Sequence, residues 1–260
     1  MNEKISALGN KCLRLVTADG EMSSFLGGKP LVATHVLWPR KHDKPLGFIG
    51  QIDLAEINRN SAIDWLPEIG RLLFFYDLHE WPWGFDPDDK GGWAVIYENG
   101  LGELKFQEAP SDLAPEYLSE KIKYLKSEPF ISYPDSRRID PNRLDWEEDT
   151  EYDEFIDSNY GAGPRHQIGG FPYAIQNDTM EEECQLASGG VYCGNSEGYD
   201  CKQAEALKAH PNDWRLLLQF DSDEDIDAMW GDMGMLYFWV RESDARAAGF
   251  DDAWMILQCY

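Results

Sequence analysis

The sequence predicts an α+β fold: two diverged, β-rich copies of one unit, with mainly antiparallel sheets and a few peripheral helices, joined in one compact body. Three observations lead there. Short apolar or alternating runs bounded by Gly, Pro or Asp outnumber helical patterns. Four landmarks recur in the same order in both halves. The 260 residues suffice for a single large domain, and 43% hydrophobic residues with 10 Trp supply a core.

Strands are expected at 72–76, 93–97, 103–107, 215–220, 235–240 and 253–260. Helices are expected at 115–125, after a Ser-Asp start; at 146–157, strongly acidic; at 201–209, before His210-Pro211; and at 243–248, ended by Gly249. Turn-forming residues at 129–142 and 159–164 suit a connection between halves. The expected organisation is one domain, 1–260, with repeat units at about 22–110 and 164–260 and a partly helical connecting segment, 111–163.

The repeat rests on collinearity. G-G-x-P occurs at 27–30 and again at 169–172; an apolar stretch runs into Gln-x-Asp at Gln51/Asp53 and at Gln219/Asp221. Acidic-apolar-Gly-x-Leu at 68–72 returns at 232–236, and each copy leads into an aromatic strand, 73–75 and 237–239. Each landmark alone is ordinary turn chemistry. The second half carries a long insertion, 173–214, with three of the five cysteines.

Charge bounds the partners. Asp and Glu number 48 against 23 Lys and Arg, for a net charge of −25. Such a field repels nucleic-acid phosphates and anionic lipid and attracts basic proteins, although solubility alone also accounts for it. No signal-peptide core and no run of about 18 apolar residues is seen, so no membrane association and a cytoplasmic location are expected. Five cysteines without C-x2-C spacing read as reduced thiols, and no cofactor is expected.

The strings G-G-K-P…W-P-R…P-L-G-F-I-G-Q-I-D-L (27–54), L-P-E-I-G-R-L-L-F-F-Y (66–76), H-Q-I-G-G-F-P (166–172), L-L-L-Q-F-D-S-D (216–223) and W-G-D-M-G-M-L-Y-F-W-V (230–240) resemble the YwqG-like family of bacterial domains of unknown function. The resemblance covers nearly all of 27–260. It implies an α+β architecture with extensive antiparallel sheet, in proteins associated with toxin and antitoxin neighbourhoods as immunity components. It brings no catalytic residue. The single proline after Gly27-Gly28 and the insertion after Pro172 depart from the plainest family pattern.

Two sets of residues are candidates. Gln51 with Asp53, and Gln219 with Asp221, lie two apart on strands, hence on one face, and a duplicated fold would bring both pairs to a cleft between the repeats for a small molecule. The bland reading is that each Gln satisfies buried backbone groups and each Asp caps a turn. Trp81 and Trp83 beside Asp86, Asp88 and Asp89, and Glu147, Glu148, Glu151 and Tyr152 in the acidic helix, would suit a basic partner such as a toxin, with charge speeding encounter and aromatics anchoring. Against this stand a packed loop and a solvated helix face.

No metal is expected. The Asp221, Asp223, Asp225, Asp227 series echoes a calcium loop but has Ile226 where the turn needs glycine, and the five histidines lack zinc spacing. With neither a G-x-S-x-G elbow nor a phosphate-cradling loop, the leading expectation is a non-enzymatic, acidic protein-binding domain, in the specific case a toxin-neutralising immunity protein. The alternative is a small-molecule-binding or enzymatic domain with its cleft between the repeats.

Overall fold

A computed structural model describes residues 7–59, 63–117, 119–139, 146–209 and 213–260, the first four residues of the acidic helix as backbone only. Ten strands form one antiparallel sheet, which with its peripheral helices gives the α+β architecture. In chain order they are β1 (Asn10–Thr17), β2 (Phe25–Gly27), β6 (Gly47–Asp53), β7 (Arg71–Tyr76), β8 (Trp93–Glu98), β10 (Ile122–Ser132), β11 (Gln167–Ile168), β12 (Trp214–Asp221), β13 (Met235–Arg241) and β14 (Trp254–Gln258). The two-residue strands β3 (Leu31–Val32) and β9 (Lys105–Phe106) pair with each other, as do β4 (Arg40–Lys41) and β5 (Lys44–Pro45).

Across the sheet the order is β14-β13-β12-β11-β1-β10-β2-β6-β7-β8. This order is symmetric about the β1–β10 pair: β2, β6, β7 and β8 run outward on one side as β11, β12, β13 and β14 do on the other. The first strand of each half is exchanged. β1 hydrogen-bonds β11 and β10 hydrogen-bonds β2, while β1 and β10 pair with each other from Asn10↔Ser132 to Thr17↔Leu125.

The atomic detail repeats as well. A bulge falls between Phe48 and Gly50 in β6 and between Leu216 and Leu218 in β12. Leu125 N donates to Ser24 O at 2.9 Å, and Leu15 N to His166 O at 2.9 Å. Gln51 is sealed from solvent; its Nε2 donates to Ser23 O (2.7 Å) and its Oε1 accepts from Leu31 N (2.7 Å). Gln219, equally sealed, donates to Arg165 O (2.6 Å) and accepts from Tyr173 N (2.8 Å). Each glutamine thus clips both ends of a Gly-Gly loop. Those loops need glycine: Gly27, Gly28, Gly169 and Gly170 have φ of 72, 69, 72 and 72°, and a Cβ on Gly27 would lie 2.3 Å from Lys121 O.

The sheet folds over on itself. Phe74 and Phe238, on strands far apart in the order, stack edge-on with centroids 5.1 Å apart. The two edge strands approach through Trp93 and Trp254, at 4.9 Å, with Trp93 Nε1 donating to Ala253 O. The enclosed face holds the main core, including Leu13, Leu15, Ile52, Leu72 and Leu236. A second core, of Phe25, Trp38, Phe48, Leu73 and Phe75, lies on the outer face of the first half beneath the segment that carries β3 to β5.

Helices are peripheral: α1 (Leu54–Ile57), α2 (Trp146–Tyr160), α3 (Met180–Ser188), α4 (Ser196–Tyr199), α5 (Lys202–Lys208) and α6 (Glu242–Arg246). Three expectations are corrected. Residues 115–125 make a single 3-10 turn (Pro115–Tyr117) and then enter β10; the helical spacing of Ile122 and Leu125 belongs to a strand. Pro129 sits inside β10 because β2 covers only its first three residues, leaving the Pro129 stretch bonded to β1 alone. The 111–163 segment therefore contributes a central strand as well as α2. Of 103–107 only Lys105–Phe106 is strand, and it lies outside the large sheet.

Removing either glutamine clip leaves at least two backbone groups without their partner. Gln51→Leu and Gln219→Leu should each lower the unfolding free energy by about 1–3 kcal/mol, measured by urea denaturation. An unchanged midpoint in either variant would refute the shared role.

Candidate functional site: paired cavities at the seams between the halves

Exchange of β1 and β10 creates two seams, and each holds a cavity. The first, about 650 Å3, is lined by Gly27, Phe48 and Ile49 of the first half, by Ser119 to Lys121 leading into β10, and by residues 226–230 of the second half, with Leu78 and Trp81. The second, about 590 Å3, is lined by Gly169 and Leu216 of the second half, by Gly9 to Lys11 leading into β1, and by Ile63 to Trp65 of the first half. The walls correspond part for part: Gly27 with Gly169, Phe48 with Leu216 at the two bulges, Lys121 with Lys11.

The lining of the first cavity combines aromatic rings with exposed carboxylates. Trp81 and Trp230 lie 6.1 Å apart, Tyr76 packs edge-on against both at 5.9 and 6.0 Å, and Phe220 meets Trp230 at 5.0 Å. Trp81 has φ +53°, a left-handed conformation uncommon for a bulky residue; its N donates to Asp77 O, and Tyr76 Oη donates to Pro82 O. Glu116, Glu120 and Asp227 supply the carboxylates, with Lys121 bridging to Asp227 at 2.8 Å.

The second cavity is walled by Trp65, Trp214 and Trp239, with Asp64, Glu181 and Glu242 among its polar groups. Each of these carboxylates faces an arginine: Asp64 with Arg246 (3.3 Å), Glu181 with Arg138 (2.6 Å), Glu242 with Arg215 (2.9 Å).

Besides the Arg71–Glu98 and Arg138–Asp178 pairs, two buried ionisable clusters elsewhere bear on chemistry. His166 Nδ1 accepts from Asp221 N (3.1 Å) and its Nε2 donates to Asp223 (3.0 Å), which also pairs with Lys123 at 2.7 Å. Burial pushes the Asp223 carboxyl up, but the bonds from His166 and Lys123 overcome it and hold it at about 2. In the first half the corresponding bond runs from Asp53 N to Ser24 Oγ, at 2.9 Å. His166 thus fills a backbone-satisfying position, not that of a general base beside a nucleophile. The other cluster surrounds Glu183, whose Oε1 accepts from Thr179 and Tyr199 while Oε2 has no partner. Burial raises Glu183 to about 7 and the neighbouring Cys193 to about 12, so that thiol stays protonated and is a poor nucleophile at neutral pH. Among the described residues no group of three or more His, Cys, Asp or Glu could hold a metal ion.

The structure does not gather the first candidate set. Gln51 and Gln219 close separate loops; Asp53 caps α1 by accepting from Glu56 N; Asp221 accepts from Arg165 N at 2.8 Å. None of the four lines either seam cavity. Of the second set, Trp81 lines the first cavity and Trp83 is 42% exposed, its carbonyl accepting from Leu257 N. Asp86 caps the 3-10 turn Pro87–Asp89, Asp89 accepts from Gly84 N, and Asp88 is exposed. Glu151 is exposed, but Tyr152 is buried and donates to Pro134 O, which removes it from any partner-facing surface. The side chains of Glu147 and Glu148 lie outside the described residues.

The seam residues Phe48, Lys121, Trp230, Trp65 and Trp239 were not singled out by sequence. One signal was present: Trp65 and Trp230 each stand a few residues before the recurring Gly70 and Gly234.

Fold and site together define an α+β protein with cavities where its two halves interlock. The family model described as "Domain of unknown function (DUF1963)" matches residues 24–259, and the chain belongs to that family. No curated protein matches it.

Glu183 gives the stability a pH dependence of definite sign. Its folded pKa lies above its ordinary value, so between about 4.5 and about 7 the folded state holds a proton that the unfolded chain releases. Its contribution is fully present below that window and lost as pH rises through it, on the order of 3 kcal/mol. Urea denaturation from pH 4.5 to 7.5 should show this decline in the native chain and a flatter profile in Glu183→Gln; identical slopes would contradict it.

Proposed function

We propose that the protein is a non-catalytic binding domain that takes a basic protein partner, with the first seam cavity as its anchor. The supporting observation is that cavity itself: aromatic walls at Trp81, Trp230 and Phe48 beside exposed carboxylates at Glu116 and Glu120, with Asp227 paired to Lys121 of the same wall, on a chain of net charge −25. Aromatic faces attract cations, and neighbouring carboxylates orient them. Most Lys and Arg of the described residues are already ion-paired within the fold, so the surplus carboxylates dominate the outward field.

Within the family we assign the chain to the YwqG-like group, on the motifs at 27–54 and 230–240, and read it as a cytoplasmic, toxin-neutralising immunity protein acting by occlusion. We also read its halves as diverged copies of one module, each opening with its exchanged strand, β1 or β10.

The test is calorimetric titration against the product of an adjacent toxin-like gene, at low and high salt. Tight, salt-weakened binding is expected, and Trp81→Ala or the pair Glu116→Lys, Glu120→Lys should weaken it at least about tenfold, the size of a modest hot spot. Absence of any such partner, or equal affinity in all variants, would overturn the reading.

A further inference from the structure

The first seam cavity also bears on which basic side chain a partner presents, an inference that rests on the basic-partner reading. Its sealed rings, Phe48, Phe220 and Trp230, only back it. An incoming group meets the half-buried Leu78, Trp81 and Ala228, the exposed Met229, and the carboxylates of Glu116, Glu120 and Asp227. That combination takes an aliphatic stem ending in a cation.

The fold already holds one such group there. Lys121 Nζ donates to Asp227 Oδ1 at 2.8 Å, and the two side chains are 51% and 74% exposed. The bond crosses the seam, from the lead-in of β10 to the loop after β12. Two residues on, Lys123 Nζ donates to Asp223 Oδ2 (2.7 Å) and Asp225 Oδ2 (2.8 Å). Each of these carboxylates gives the ammonium a single oxygen. The seam itself does not demand the bond: Lys11, the counterpart of Lys121 at the other seam, is exposed and has no carboxylate partner among the described residues.

Arginines of this fold bind carboxylates differently. Arg40 spans both oxygens of Asp112, at 2.8 and 2.9 Å, and Arg137 both of Asp135, at 2.6 and 2.7 Å. Such a fork needs two free oxygens in one plane, whereas an ammonium needs one. Asp227 has one to offer: Oδ1 belongs to Lys121, and Oδ2 has no donor among the described residues. The carboxylate is also held ready, by Lys121 and by a left-handed backbone with φ of 55°. An incoming lysine can join it at Oδ2, but an arginine can fork only on Glu116 or Glu120. Both are exposed and without a partner among the described residues, so a fork there must order two free side chains and is worth little. We propose that Lys121 makes this cavity selective for a lysine side chain of the basic partner over an arginine, by occupying one oxygen of Asp227 and leaving the other free.

The test titrates the full chain with N-acetyl-lysine amide, N-acetyl-arginine amide and the uncharged N-acetyl-norleucine amide. The readout is the Trp81 indole N–H in two-dimensional 1H–15N spectra, assigned by its loss in Trp81→Phe. The native chain should bind the lysine probe about threefold more tightly than the arginine probe, the size of an exposed ion pair, and the norleucine probe most weakly. Lys121→Met, which keeps the stem and frees both oxygens, should tighten both cationic probes and abolish or reverse their order. Asp227→Asn, which tolerates the left-handed backbone, should weaken the lysine probe and remove its advantage. Melting curves confirm that the variants fold. An arginine probe that binds the native chain as tightly as the lysine probe, a preference that survives in Lys121→Met, equal binding of the norleucine probe, or no shift of the Trp81 signal would overturn the proposal. The basic-partner reading falls by a different result, the absence of a toxin-like partner, and equal binding of the lysine and arginine probes leaves it standing.

Discussion

Pairing of β1 with β10 is the constraint on which the rest of the structure depends. Each strand lies between its partner and a strand of the opposite half, so neither half completes its sheet from its own chain segment. The antiparallel ladder from Asn10↔Ser132 to Thr17↔Leu125 therefore does more than join two bodies. It places the lead-in residues of each exchanged strand against the Gly-Gly loop of the other half, and the seam cavities open there. The close approach that requires glycine at position 27, with Lys121 O beneath it, is the same approach that forms one cavity wall.

Corresponding positions show what the two halves keep and what they vary. The glutamine clips, the bulges and the left-handed glycines are identical in role. Side chains that satisfy the same backbone groups differ in charge. Glu98 accepts from Thr34 N and Oγ1 in one half, where Gln258 accepts from Ile175 N and Gln176 N in the other. Glu98 in turn requires Arg71, with which it makes a buried ion pair. Backbone geometry is thus held constant while the electrostatics around it diverge, and the two seams differ for the same reason.

The sheet was legible in the sequence because its outer strands carry bulky, β-favouring residues between turn signals: β7, β8, β12, β13 and β14 all fall where periodicity puts them. β10 was not, because its apolar residues Ile122 and Leu125 also fit a helical face and Pro129 argues against a central strand unless one neighbour is known to stop short. Helix α3 lay in a segment read only as an insertion. The recurring Gln-x-Asp pairs were visible, but a polar pair at a strand end looks the same whether it faces a cleft or clips a loop; only the partners of Gln51 and Gln219 decide between them.

Exchange of the opening strands also bears on the origin of the asymmetry. A free module of this topology would have to borrow its missing strand from a second copy, giving a symmetric homodimer with two identical seams. Tandem fusion of such a module removes that identity, because each seam can then accumulate substitutions that the other does not share. In a tandem chain the carboxylates beside Trp81 and the arginine-paired carboxylates near Trp239 can differ, whereas the two seams of a symmetric homodimer could not.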